Sequence, residues 1–179
     1  MSADITISDG RWTLEEIKKL DEAEERRSKN LPVNFMLTVT KRFSNNKAAH
    51  RNWQHPGHCA KVHGENWTFD ITFKATKLNE CGFVIDFGGL KYIKDWFAEV
   101  FDHVLLIEGD DPNIKEFQNL SRLGLTRLTI VTSATAEGLA EMVFKNVDFA
   151  VKKKEGGRVW VSKVVCFEDT NNSSTYEIG

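Results

Sequence analysis

The chain has 179 residues, a formal net charge of −2 and 41% hydrophobic residues. This size allows one domain with a hydrophobic core, and the near-neutral charge excludes a basic field that would recruit nucleic acid. No apolar run reaches membrane-spanning length, the N-terminus lacks the pattern of a secretory signal, and the three sparse cysteines are typical of a reducing compartment. We therefore expect a cytoplasmic protein that binds neither nucleic acid nor a membrane.

Residues 1–30 differ in pattern from the rest of the chain. Thr13 and Glu16 have the spacing of a helix capping box, and a thin apolar stripe with many charges follows them. Such a helix can dock weakly on a surface but cannot form a core. The sequence predicts an N-terminal helical extension over 1–30 and a folded domain over 31–179.

Two segments alternate between apolar and polar residues, which is the pattern of a half-buried strand. The first runs from Val33 to Val39, with a loop expected around Asn45. The second runs from Trp67 to Thr76.

The period then becomes helical. Apolar residues at three- and four-residue steps predict a helix over 90–104, a short helix over 113–122 and a long helix over 136–147. Strands are predicted over 127–132 and 159–167, and a polar tail closes the chain. This order of elements predicts an α+β fold with an antiparallel sheet.

The histidines between the first two strands suggest a metal site. His63 and Glu65 are two residues apart, so on a strand they lie on one face, and His50 can join them across a loop. Two imidazoles and a carboxylate with an open position form a known catalytic zinc composition. His55 and His58 are also available, so spacing alone does not fix the ligand set.

Cys59 is a candidate base or nucleophile. It lies four residues before His63 and two before Lys61, and a thiol close to a metal and a lysine is biased toward thiolate. The alternative is an inert small side chain.

Two further patterns carry possible chemistry. Asp102 precedes His103 at the end of the predicted helix, where a carboxylate can orient an imidazole that moves protons. The alternative is a histidine that interacts favourably with the helix C-terminus. Glu168 ends the last predicted strand, and its carboxylate could accept paired hydrogen bonds from an amino-pyrimidine edge or be simply solvated.

Together these segments resemble the motifs of the 6-pyruvoyl/6-carboxy-tetrahydropterin synthase family. Six of them match in order, and this order is far more specific than any single motif. The six are Ala48-Ala49-His50, Cys59 with His63-Gly64 and Asn66-Trp67, Gly82–Phe87 with Leu90-Lys91, Phe101–Leu106 with Asp111-Pro112, Thr135–Ala140, and Val165–Glu168.

The resemblance implies a tunnelling fold (T-fold) in which a four-stranded antiparallel sheet carries two helices on one face. It also implies homo-oligomers, trimers or hexamers, with active sites at subunit interfaces. Carried over by position, it implies one zinc ion per subunit and the following roles: zinc ligands His50 and His63, base Cys59, proton relay Asp102 with His103, pterin anchor Glu168, and supports Thr135 and Glu137.

The gap of three residues between Cys59 and His63 resembles the 6-carboxytetrahydropterin synthases of the queuosine (7-deazaguanine) pathway. That branch converts 7,8-dihydroneopterin triphosphate to 6-carboxytetrahydropterin, acetaldehyde and triphosphate. The alternatives are the pyruvoyl-forming activity and a non-catalytic pterin- or purine-binding protein. The presence of Cys59, Asp102 and His103 in one chain favours an enzyme, because a binder needs no proton relay.

Glu65 is the main departure from the family, which has a histidine at this position. With the Glu65 carboxylate as the third ligand, we expect a His2Glu site. Its metal preference should shift from zinc toward harder ions such as iron or manganese. His55 or His58 could instead complete the site, or metal binding could be lost. The chain also has Ala134 where the family has proline and Gly138 where it has asparagine.

Overall fold

A computed structural model describes residues 36–178. The predicted extension over 1–30 and the start of the first strand lie outside these residues. The strands are β1 (Leu37–His50), β2 (His63–Ala75), β3 (Val104–Glu108), β4 (Arg127–Val131), β5 (Val159–Phe167) and β6 (Ser173–Glu177). The helices are α1 (Lys91–Phe101), α2 (Ile114–Arg122) and α3 (Ala136–Lys154), and His58–Ala60 forms a 3-10 turn.

The six strands form one curled sheet in the order β4-β3-β1-β2-β5-β6. The pairs β1–β2, β2–β5 and β5–β6 are antiparallel, whereas β3 pairs parallel with both β1 and β4. The α+β class is confirmed. The predicted four-stranded antiparallel sheet with two helices is wrong, because the described residues contain six strands in a mixed sheet and three α-helices.

Two strands were missed for different reasons. The helical period continued into Val104, but α1 ends at Phe101 because Asp102 is extended and His103 has a φ of 55°. The next five residues are all buried and form β3, and a short apolar run does not distinguish a buried strand from a helix. Strand β6 is a polar edge strand held by its pairing with β5, so no apolar pattern marks it.

Strand β1 continues where a loop was expected. Asn45 has a φ of 67° and the pairing with β2 shifts between Phe43 and Asn46, as in a β-bulge. The buried Asn46 side chain donates to the carbonyl oxygens of Phe43 and Trp67, each at 3.1 Å. The strand therefore reaches His50 and sets it opposite His63.

The core lies between the sheet and helices α1 and α3. Alternate residues of β2 from Trp67 to Phe73 are fully buried on one sheet face, and Phe69 packs against Phe97 and Phe101 of α1. Helix α3 contributes six buried residues, whereas α2 contributes none. No helix among residues 36–178 combines the length and hydropathy needed to cross a membrane.

Candidate active site

Two histidines face each other where β1 ends and β2 begins. His50 is the last residue of β1 and His63 the first of β2, and the two residues are paired in register. Their ring centroids are 4.3 Å apart. The strands and the intervening loop thus bring together imidazoles that are thirteen positions apart in the sequence.

Both rings are held in the tautomer that binds metal. Nδ1 of His50 donates to the carbonyl oxygen of Ala134 at 2.7 Å, and Nδ1 of His63 donates to that of Lys61 at 2.8 Å. Each Nε2 is therefore left as an acceptor, as in the outer-shell arrangement of metal-ligating histidines. Burial lowers the pKa of His50, and nearby His63 lowers it further, which favours the neutral, ligating form.

Two carboxylates complete the group. Glu65 follows His63 along β2, and Glu168 comes directly after β5. One ligand atom each from His50, His63, Glu65 and Glu168 lies within 4.8 Å of all the others. His50 Nε2 is buried and has no hydrogen-bond partner among residues 36–178, so a metal ion would satisfy an otherwise orphaned atom.

The charges also fit a divalent cation. Burial raises the pKa of the Glu168 carboxyl, and the Glu65 carboxylate raises it further. The effect of Glu65 reflects two like charges held close together, and a cation would stabilise both the buried carboxylate and this pair. His55 and His58, the alternative third ligands, are not members of the group.

His50, His63 and Glu168 of this His/Glu group line a cleft of about 500 Å³, whereas Glu65 lines an adjoining pocket. Cys59, Thr135 and Glu137 line the wall of the cleft, together with His55, Asn52 and the segment 171–174. Five predicted site residues from distant parts of the chain thus share one cavity with Glu168: His50, His63, Cys59, Thr135 and Glu137. Sequence reasoning missed the wall formed by 171–174, because that segment had been interpreted as a polar tail.

Thr135 is fixed by the start of α3. Its hydroxyl caps the helix by accepting from the Gly138 amide at 3.2 Å and lies 3.1 Å from the Ser133 hydroxyl. A Cβ on Gly138 would come within 2.4 Å of the Ser133 Cβ. Glycine in place of the family's asparagine therefore allows this close approach.

Asp102 and His103 lie elsewhere. His103 Nδ1 donates to Asp102 Oδ1 at 2.7 Å. The His103 side chain is 75% exposed and the Asp102 side chain is 48% exposed. The structure keeps the predicted pair together, but neither residue lines the cleft that contains Cys59 in the same chain.

Sequence reasoning also missed a residue behind His50. The buried Glu108, at the end of β3, accepts a hydrogen bond from the Ala134 amide at 3.0 Å. The carbonyl of Ala134 in turn accepts from His50. Glu108 therefore positions the loop that orients the His50 ring, and the only sequence signal was a carboxylate ending a buried apolar run.

Replacing Glu108 by alanine should lower the affinity for a divalent metal by about tenfold, the lower end of the cost of losing an outer-shell partner. Glu108→Gln should stay near wild type, because its amide oxygen can accept the same N–H. Metal titration against a chromophoric chelator, with circular dichroism to check folding, measures both. An unchanged affinity in a folded Glu108→Ala protein would show that other contacts orient His50.

The fold and the site define an α+β protein with a candidate metal-dependent active site. Residues 37–178 match the sequence profile of the 6-pyruvoyl tetrahydropterin synthase family. A 6-carboxy-5,6,7,8-tetrahydropterin synthase from Rickettsia bellii is 32% identical over 137 residues, covering 76% of this chain and 96% of that protein. A protein of the same name from Aquifex aeolicus is 29% identical over 125 residues, covering 66% and 75%.

Solved structures share the fold. An uncharacterised protein from Wolinella succinogenes has a TM-score of 0.69 at 19% identity and covers 80% of this chain and 98% of its own. The 6-pyruvoyl tetrahydropterin synthase of Caenorhabditis elegans has a TM-score of 0.56 at 21% identity, covering 81% and 97%. The chain therefore belongs to the 6-pyruvoyl tetrahydropterin synthase family, whose members act on small pterin substrates.

Proposed function

We propose that this protein is a cytoplasmic, metal-dependent lyase of the 6-carboxy branch. It would convert 7,8-dihydroneopterin triphosphate and one water to 6-carboxy-5,6,7,8-tetrahydropterin, acetaldehyde and triphosphate, a step toward 7-deazaguanines such as queuosine. The names of its curated relatives support this branch. The observation that carries the proposal is the convergence of Cys59 with three members of the His/Glu group, His50, His63 and Glu168, on one cleft.

Each side chain has a defined task. His50, His63 and Glu65 would hold a divalent ion, zinc or a harder metal, one per subunit. When bound, such an ion polarises the side-chain oxygens of the substrate as a Lewis acid. Cys59, in the cleft wall, removes a proton from the substrate side chain as a thiolate.

The remaining cleft residues bind the pterin ring. The Glu168 carboxylate accepts two N–H groups from the amino-pyrimidine edge, a bidentate arrangement that fixes orientation. Thr135 and Glu137 line the same cavity and support the bound ring.

Asp102 and His103 act from a neighbouring copy in this proposal. The pair is exposed and outside its own chain's cleft, so a homo-oligomer, a trimer or hexamer, would bring it to the Cys59 of another subunit. Heterologous contacts around a rotation axis place one surface of each subunit against a different surface of the next.

The test is product analysis together with metal analysis of the purified protein. We expect about one divalent ion per subunit, as in mononuclear catalytic sites, and equal release of acetaldehyde and triphosphate. Triphosphate without acetaldehyde would assign the pyruvoyl-forming activity instead. Ligand binding with no triphosphate released would leave a non-catalytic pterin-binding protein.

Mixed oligomers of two inactive variants should regain activity. In random mixtures of Cys59→Ala and His103→Ala subunits, about a quarter of interfacial sites combine a native Cys59 with a native His103, because each site draws on two subunits. Co-expression with two affinity tags, followed by tandem purification, allows turnover to be measured in mixed oligomers only.

The matched control pairs Cys59→Ala with the double variant that lacks both Cys59 and His103. No subunit of this control mixture carries the Cys59 thiol, so the mixture should stay inactive. Equal inactivity in the test mixture would contradict the shared site.

A further inference from the structure

We propose that Glu168 is an exchangeable fourth ligand, which binds the metal ion in the resting site and releases it when a pterin ring binds. This inference rests on the proposed function, because it uses the same ion and the same ring. It adds a second role for Glu168 and a thermodynamic link between metal and pterin.

The geometry supports the resting contact. A Glu168 carboxylate oxygen lies 3.8 Å from His50 Nε2, the buried nitrogen that has no partner among the described residues. Both atoms belong to the group whose ligand atoms lie within 4.8 Å of one another. A divalent ion that bound the His50 nitrogen would therefore also lie close to the Glu168 oxygen.

The charge balance supports it as well. Two neutral imidazoles with the carboxylates of Glu65 and Glu168 offset one divalent cation fully. No lysine or arginine lines the described cleft, and nearby Arg42 is engaged by Asp70 through two hydrogen bonds of 2.7 Å. Glu65 and Glu168 also line an adjoining pocket, where Arg42 is the one lining cation among the described residues. Because Arg42 is paired with Asp70, a metal ion would be the main cation to offset these two carboxylates, and carboxylates held together without a cation are costly.

One carboxylate cannot serve both partners fully. A bidentate contact with the amino-pyrimidine edge uses both oxygens of Glu168, so the ring and the ion compete for the same group. Binding free energies are reciprocal between two ligands. A pterin ring should therefore weaken metal binding, and the metal should weaken binding of the ring.

Metal titration without pterin tests the resting contact. Mn²⁺ or Co²⁺ affinity should fall at least about tenfold in Glu168→Gln, since a direct ligand costs no less than an outer-shell partner. Glu137→Gln is the matched control, because it removes a carboxylate of the same cleft that is outside the metal group, and it should change the affinity much less. Equal effects in the two variants would mean that charge alone acts, which would overturn the proposal.

Pterin itself, the bicyclic ring without a side chain, tests the exchange, because it has no side-chain oxygens to bind the ion. At saturating pterin, the apparent metal Kd of the wild type should rise, and the visible absorption of bound Co²⁺ should change as a ligand leaves. Glu168→Gln should show neither effect. An unchanged or tighter metal Kd in the wild type would overturn the exchange.

A third variant separates this inference from the proposed function. Glu65→Gln should weaken metal binding whether or not Glu168 is a ligand. If Glu65→Gln weakens binding and Glu168→Gln does not, only the present inference fails. If neither variant matters, the ligand set of the proposed function fails as well.

Discussion

Replacing Cys59 with alanine should lower turnover of dihydroneopterin triphosphate by about 10²- to 10⁴-fold, the range that positioned acid–base groups contribute. Metal content should stay at the wild-type level, because Cys59 lines the cleft without belonging to the His/Glu group. The thiol is carried by the 3-10 turn His58–Ala60, whose backbone closes on itself through hydrogen bonds from Ala60 to Gly57 and from Lys61 to His58. Alanine fits this turn, so loss of activity would not come from misfolding.

Turnover is measured as triphosphate released per subunit, and metal content by elemental analysis of the same sample. Cys81→Ala is the matched control, since Cys81 is exposed and outside the cleft. Cys166 is unsuitable because it is buried, and burial raises the pKa of its thiol far from the reactive range. A Cys59→Ala protein with full metal and near-normal turnover would require a different base.

The sequence predicted the parts of the fold that depend on local pattern. Alternation located β2 from Trp67 onward, and the helical period located α3 from Ala136. It also placed Glu65 on the same face as His63, because strand geometry fixes residues two apart. The structure brings these two residues together with His50, as that reasoning expected.

The parts that were not predicted depend on contacts between distant segments. Strand β3 is defined by parallel pairing with β1 and β4, and no local period reports such a partner. Glu108 and His50 are linked only through the Ala134 backbone, whose amide contacts Glu108 and whose carbonyl contacts His50. A backbone contact of this kind has no sequence signature. Glu168 was interpreted as a pterin anchor or a solvated strand end and not as a neighbour of His50, because its distance to His50 depends on how β5 and β1 are placed across the sheet.

The largest effect on metal binding is expected at Glu65, where the chain departs from its family. Glu65→Ala should weaken divalent-metal affinity by about 100-fold or more, since losing a direct ligand costs at least as much as losing its outer-shell support. Glu65→His should restore binding, because imidazole is a good zinc ligand and the same strand position faces His63. The ratio of the manganese Kd to the zinc Kd should also rise, because a nitrogen donor favours zinc over manganese more than a carboxylate does.

Competitive titration with a chelator gives both affinities, and Glu137→Ala serves as the control, because it removes a cleft carboxylate that lies outside the His/Glu group. The comparison decides between the three alternatives left by the sequence. Loss of metal in Glu65→Ala with recovery in Glu65→His would establish the His2Glu site. Unchanged affinity in Glu65→Ala would mean that His50 and His63 bind metal with another donor, and Glu168 is then the remaining carboxylate of the group. No metal binding in the wild type, with binding gained in Glu65→His, would mean that the glutamate abolished an ancestral zinc site.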